Sequence, residues 1–108
     1  MAQSVVNMNA LIEEIFLKCL GSAEKLKQYI SQDIDLINYI KTKYGVLIGL
    51  AAGFLANRKD LLNELKSITH GDILEFLKRR RPDLYQILQT EEGKNWFKKQ
   101  KFENFFKF

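Results

Sequence analysis

Several residue types are scarce in this sequence, and their scarcity excludes whole classes of protein. The single cysteine excludes an internal disulfide framework. Because the chain also has only one histidine, it cannot build a zinc site from cysteine and histidine alone. No apolar run reaches the roughly 18 residues that a bilayer-spanning helix needs, and residues 1–10 lack the basic and apolar regions of a secretion signal. We therefore expect an intracellular protein, of the cytoplasm or of the nucleoid or nucleus, with no cofactor, no metal and no membrane partner.

The composition is that of one small folded domain with a basic end. With 46% hydrophobic and 28% charged residues, a chain of 108 residues can bury a core, which excludes disorder of the whole chain. The net charge is +4, and from residue 78 onward nine bases accompany four acids. Such an end is typical of proteins that contact nucleic acid or an acidic protein surface, although an ordinary solvated, lysine-rich surface has the same composition.

The hydrophobic periodicity is helical along almost the whole chain. One proline and six glycines provide few of the turns that a sheet requires. We expect a helix over residues 9–20, a short one capped by Ser22, and a third capped by Ser31 that ends at Gly45. Further helices are expected over residues 46–56, 58–67, 69–81, 82–89 and 90–97. The prediction is a compact all-α domain of several helices, residues 1–97, followed by a basic and aromatic C-terminal tail, residues 98–108.

Two helix starts and one break carry specific local signatures. Thr69 and Asp72 have the spacing of a capping box, in which each residue's side chain accepts a hydrogen bond from the other's backbone N–H. Thr90 is expected to cap the last helix. Pro82 should end the preceding helix, because the residue before a proline is pushed out of helical angles.

Residues 46–56 form the most apolar stretch of the chain. Gly45, Gly49 and Gly53 recur there at intervals of four and share one helical face. Each glycine costs a helix about 1 kcal/mol relative to alanine, so close approach of a second helix is expected to offset that cost. A helix that is hydrophobic on all sides belongs in the centre of a fold or in an interface. The second helix comes either from the same fold or from another copy across a dimer seam.

A run of four cations lies between two predicted helices. Positive charge at a helix C-terminus is favoured by the helix dipole, which is a purely structural explanation. Guanidinium groups also pair with phosphate oxygens, so the run predicts a second function, contact with nucleic acid. The candidate nucleic-acid-binding residues are Lys78, Arg79, Arg80, Arg81, Lys94, Lys98 and Lys101.

The side chains that catalysis requires do not converge in the sequence. His70 is expected at the surface near a helix start, and Cys19 lies on the apolar side of the first helix as a small core residue. Motifs of serine hydrolases, zinc proteases and phosphate-binding loops are absent. We expect a protein that is not an enzyme and has no catalytic residues.

The C-terminal tail concentrates phenylalanines among charged and amide residues. Exposed, these rings would promote aggregation, so they must be buried in their own core or in a partner. Lys99, two residues, Phe102, two residues, Phe105 and Phe106 form a pattern that resembles the PIP box, the peptide by which many proteins bind the sliding clamp PCNA. The PIP-box pattern is a glutamine, two residues, an aliphatic residue, two residues and then two aromatic residues. Lys99 stands at the glutamine position, and Gln100 is one residue out of register.

The resemblance implies an accessory protein of DNA replication or repair that docks on a PCNA-type clamp through Lys99, Phe102, Phe105 and Phe106. One 3₁₀ turn would place the three aromatic rings on one side, as a wedge that fills a preformed pocket. The alternative is a tail that folds back on the chain's own core or binds another partner.

Two further functions stay open. One is a helical nucleic-acid-binding module without clamp contact, and the other is an oligomerising structural subunit of a larger complex, including a homodimer, that uses the face of Gly45, Gly49 and Gly53.

Overall fold

The computed structural model describes residues 8–105, and these residues form helices without any strand, which confirms the predicted all-α class. A 3₁₀ turn, Phe102–Asn104, follows the last helix. No helix within this described range is long and apolar enough to cross a membrane. The helices are α1 Met8–Leu20, α2 Ala23–Ser31, α3 Leu36–Leu55, α4 Lys59–Lys66, α5 His70–Arg80, α6 Pro82–Leu88 and α7 Glu91–Lys98.

Local hydrogen bonding explains where most of these helices start. The Ser22 hydroxyl accepts from the backbone N–H of Lys25 at the start of α2. Both halves of the capping box between Thr69 and Asp72 are formed at α5, at 3.2 and 2.9 Å. The Thr90 hydroxyl accepts from the Gly93 N–H at 3.1 Å. Each of these caps satisfies an N–H that the first helical turn leaves unpaired, and each was predicted from the sequence.

The predicted cap of the third helix was wrong. Ser31 is the last residue of α2, and its hydroxyl donates back to the Gln28 carbonyl at 3.0 Å. The chain then turns at Asp33, which has a left-handed φ of 51°. Helix α3 is capped instead by Asp35, whose carboxylate accepts from two N–H groups of its first turn. A carboxylate on extended backbone is a stronger acceptor for these groups than a hydroxyl already placed inside a helix.

The helix boundary predicted at Gly45 corresponds to a kink one residue earlier, at Tyr44, and not to a turn that separates two helices. Helix α3 continues to Leu55, with non-helical backbone angles only at Tyr44 (φ −120°, ψ 22°). A glycine ends a helix when it adopts positive φ, as Gly21 does after α1 with φ 61°. Gly45 does not adopt this conformation, so the chain passes through a local kink and remains helical.

The core combines residues from almost every element, including the C-terminal tail. Phe102 and Phe105 are 6% and 4% exposed, and Gln100 of the same segment is buried as well. The tail therefore packs on the same core as the helices that precede it. The largest side chains that are fully enclosed are Phe16, Leu20, Leu26, Leu36, Ile40, Ile48, Leu55, Ile73, Leu77, Leu84 and Leu88.

Candidate interaction surfaces

The second half of α3 presents large apolar side chains to solvent. We call this surface the α3 face; it consists of Val46, Leu47, Leu50 and Phe54 together with Gly45, Gly49 and Gly53. The exposed fractions of its large side chains are 79% for Val46, 46% for Leu47, 67% for Leu50 and 52% for Phe54. The opposite side of the same helix, with Ile48, Ala51 and Leu55, is buried in the core. The helix is thus apolar on both sides but buried on only one.

Each of the three glycines of the α3 face has free space where a side chain would begin. A Cβ atom built on Gly45, Gly49 or Gly53 meets no atom of another part of the described chain within 4 Å. By contrast, a Cβ on Gly93 in α7 would lie 2.9 Å from the Leu88 Cα and closer still to the Ile87 carbonyl. Close internal packing therefore accounts for Gly93, but no packing within residues 8–105 accounts for the glycines of α3.

The segment that carries the α3 face has no charged residue of its own. Residues 44–57 contain no acidic or basic side chain. The nearest charges along the chain are Lys43, whose ammonium lies 5.9 Å from the Tyr39 ring, and Arg58, which pairs with Asp60 at 3.3 Å. A partner that covers this segment alone would bury none of its side chains in charged form.

The run of arginines is engaged by carboxylates of the same chain. Arg79 pairs with Glu13 at 3.1 Å, and Arg80 reaches both Glu13 and Glu14, at 3.3 and 3.0 Å. These contacts join the end of α5 to α1. A phosphate would have to compete with them, because each guanidinium already has an anionic partner.

Lys78 and Arg81, which flank Arg79 and Arg80 in the sequence, also contact neighbouring side chains. Arg81 pairs with Asp83 at 2.9 Å, and its hydrogen bonds hold the pKa of the Asp83 carboxyl below its ordinary value. Lys78 places its ammonium 5.9 Å from the Tyr85 ring centroid, within cation–π distance. Each of the four cations of the run, residues 78–81, therefore contacts another side chain of the same chain.

The other predicted nucleic-acid-binding lysines are more accessible. Lys94 and Lys98 lie one turn apart on α7, and Lys101 follows the helix; all three side chains are exposed. Lys98 and Lys101 also line a cleft of about 350 Å³ between the start of α5 and the tail. Lys66 lines the same cleft and was not singled out from the sequence, because it is distant along the chain.

The tail forms the expected turn but directs its rings inward. Phe102 and Phe105 lie on one side of the 3₁₀ turn and contact the Phe16 ring, with centroids 5.3 and 5.9 Å away. Phe102 also packs on His70 at 4.8 Å and on Phe97 at 5.5 Å. Of the two open interpretations, self-packing is the arrangement in the structure.

The two other predicted clamp contacts are Lys99 and Phe106. The Lys99 ammonium is exposed and lies 3.4 Å from the Asp33 carboxylate. Phe106 lies outside the described residues. Docking through the tail would therefore require Phe102 and Phe105 to leave the core.

The single cysteine is enclosed by the fold and the single histidine is partly buried. Cys19 is fully buried, and burial raises the pKa of its thiol to about 11. His70 is half-buried against Phe97 and Phe102, and its buried Nε2 has no hydrogen-bond partner among residues 8–105. Within residues 8–105, no three histidine, cysteine or acidic side chains are grouped so that they could hold a metal ion.

Comparison with known proteins identifies no relative. The chain matches no protein-family model, no curated protein and no solved structure. Functional proposals therefore rest on the surfaces described above.

Proposed function

We propose that this protein is a structural, partner-binding subunit that joins a larger assembly through the α3 face. The observation that carries the proposal is the exposure of Val46, Leu47, Leu50 and Phe54 on one uncharged helix surface. Large apolar side chains that cluster at a protein surface mark interaction sites. The sequence predicted this function as one of three, and the outward orientation of these side chains favours it over the other two.

The energetics of the face suit association. Burying a large apolar side chain contributes about 1.5–3 kcal/mol. Leu50 and Phe54 are each more than half exposed, so most of this contribution is unused within the chain. Association must also overcome the loss of rotational and translational freedom, which makes the continuity of the whole face necessary.

Cysteine labelling tests whether the face is covered in the cell. We expect Leu50→Cys to react rapidly with a thiol reagent in dilute purified protein and slowly in cells that make the protein at its natural level. Asn63→Cys on the exposed side of α4 should react equally in both settings, and buried Cys19 provides an unreactive internal reference. Equal reactivity of Leu50→Cys in both settings would exclude a covered α3 face.

A second proposal concerns the C-terminal tail and a role in DNA replication or repair. The 3₁₀ turn at Phe102–Asn104 and the exposed lysines around it support docking on a PCNA-type clamp by a PIP-box-like peptide. Releasing Phe102 and Phe105 from the core would cost about 1.5–3 kcal/mol each, so clamp binding must supply that free energy.

Calorimetric titration into a purified clamp separates the affinity of the tail for the clamp from the cost of releasing the tail from the core. A free peptide of residues 98–108 should bind the clamp more tightly than the folded protein, because the peptide has no core to leave. The Phe105→Ala/Phe106→Ala peptide should not bind. Absence of binding by the wild-type peptide would refute the clamp proposal.

Direct nucleic-acid binding is a third proposal, supported by the exposed Lys94, Lys98 and Lys101. Phosphate contacts predict an affinity that falls steeply with salt. Lys94→Gln/Lys98→Gln should weaken binding to duplex DNA, whereas Glu13→Gln/Glu14→Gln should strengthen it if Arg79 and Arg80 take part, because the substitution removes their carboxylate partners. Binding that does not depend on salt would contradict this proposal.

A further inference from the structure

We infer that the occupant of the α3 face is a second copy of this chain, an inference that rests on the proposed assembly function. The face consists of two parallel rows of residues spaced by four along the helix. One row is large and the other has no side chains at all. The large row is Val46, Leu50 and Phe54, and the small row is Gly45, Gly49 and Gly53.

These two rows are complementary to each other. Residues spaced by four form ridges on a helix, and two helices pack by inserting the ridge of one into the groove of the other, with an interaxial angle near −50°. The glycine row is such a groove, since no described atom of another element lies within 4 Å of a Cβ placed there. The row containing Leu50 is the ridge.

In a dimer with a two-fold axis near Gly49, the large row and the glycine row of each copy both take part in the contact. Each copy presents a ridge and a groove side by side, so the ridge of one copy fills the groove of the other and the reverse holds at the same time. This reciprocity is the defining property of an isologous interface. An unrelated partner would have to carry a matching ridge and groove of its own, whereas a second copy supplies both.

The distribution of charge is compatible with this crossing. The first charged residues, Lys43 and Arg58, lie well to either side of Gly49. Helices that cross at a steep angle diverge from the contact point, so the like charges of the two copies move apart toward the helix ends. Solvent screening over a Debye length of about 8 Å then weakens the remaining repulsion.

The size of the face predicts a reversible dimer. A standard protein–protein interface involves about 20–30 residues on each partner. The α3 face has seven residues, four of them with large exposed side chains, and is therefore much smaller than such an interface. We therefore expect a mass that depends on concentration.

A lipid surface would also accept exposed leucine and phenylalanine side chains, but it would not require the glycine row. Fluid acyl chains adapt to any shape, and glycine weakens the helix that carries it. A groove of defined width serves a rigid partner. The second copy therefore accounts for both rows.

The first experiment is sedimentation equilibrium of the full chain from low micromolar to near-millimolar concentration. We expect the wild-type mass to rise from one copy toward two. Gly49→Leu fills the groove and should hold the mass at one copy, while Asn63→Leu, which adds the same side chain on α4, should behave as wild type. Both variants add their side chain to an exposed position, so circular dichroism should show an unchanged fold.

Mild oxidation of Gly49→Cys tests the position of the axis. Cysteine is much smaller than leucine and fills only part of the groove, so we expect Gly49→Cys to form a disulfide-linked dimer at a concentration where Asn57→Cys, near the diverging helix end, does not. A wild-type chain that stays monomeric throughout, or that associates equally well with Gly49→Leu, would overturn the inference. So would a monomer that co-sediments with anionic vesicles through Leu50.

The labelling of Leu50→Cys distinguishes failure of the homodimer from failure of the proposed assembly function. A monomer whose Leu50→Cys is protected in cells would refute the second copy but retain the proposed assembly function with a different partner. A monomer whose Leu50→Cys reacts freely in cells would refute both.

Discussion

The side-chain oxygen of Gln100 accepts a hydrogen bond from the backbone N–H of Leu36 at 2.8 Å. This contact satisfies a donor in the first turn of α3 with a side chain from the tail. The Gln100 amide nitrogen donates to the Trp96 carbonyl at 3.0 Å, and the Trp96 indole donates to the Ile34 carbonyl at 2.9 Å. The tail and the end of α7 thus fix the loop that leads into α3.

Gln100→Ala should destabilise the protein by about 1–3 kcal/mol, because it leaves the buried Leu36 N–H without a partner. Gln89→Ala at an exposed position after α6 is the matched control and should change stability by less than about 0.5 kcal/mol. Urea denaturation monitored by circular dichroism measures both. Equal stabilities would show that water replaces the lost acceptor without cost.

Phe105→Ala should lower the free energy of unfolding by about 3–5 kcal/mol, the usual cost of removing a buried phenylalanine ring. The reason is the loss of its stacking on Phe16 and of the surrounding core contacts. Lys101→Ala in the exposed part of the same segment should have little effect. A small loss for Phe105→Ala, measured by thermal denaturation, would indicate a tail that is released easily.

Two glycine substitutions should have opposite effects on the isolated monomer. Gly49→Ala should stabilise the dilute protein by about 1 kcal/mol, because alanine is the better helix former and the added methyl group has free space. Gly93→Ala should destabilise it by about 1–3 kcal/mol, because the added methyl group would overlap the backbone at Ile87 and Leu88. Thermal unfolding at low concentration distinguishes them. Stabilisation by Gly93→Ala would contradict the tight packing of α7 on the end of α6.

Stability should fall as the pH rises from about 9 toward 11. Burial raises the pKa of Cys19 from 9.0 to about 11, so the folded state holds the thiol proton over a range in which the unfolded chain loses it. The contribution of the protonated Cys19 thiol to the free energy of unfolding is fully present below pH 9 and is lost as the pH rises to about 11. Cys19→Ala should show a shallower decline in urea denaturation, although buried Tyr29, whose pKa is also raised by desolvation, keeps part of the slope. An unchanged slope in Cys19→Ala would contradict this assignment.

Local features were predictable from the sequence, and features set by tertiary contacts were not. The capping box at Thr69 and the break at Pro82 depend on neighbouring residues, so the pattern was sufficient. The path through Gly45 depends on whether the glycine adopts positive φ, which the residue type alone does not decide.

The candidate surfaces divide in the same way. The glycine spacing pointed to the α3 face, but which side of the apolar helix faces solvent depends on the rest of the fold. The pairing of Arg80 with Glu13 and Glu14 joins residues 66 or 67 positions apart, so the basic run appeared freer in the sequence than it is. The role of Gln100 had no local signal, because its partner Leu36 lies 64 positions away.

The Phe16 ring has a consequence for the order in which the molecule folds. It contacts Phe76 in α5 and both buried phenylalanines of the tail, so its packing joins nearly the two limits of the described chain. Closing so long a loop carries an entropic cost that local helix formation does not. The helices can therefore form and associate before the last ring is seated. Loss of Phe105 should then accelerate unfolding more than it slows folding, and the tail should govern how long the native state persists.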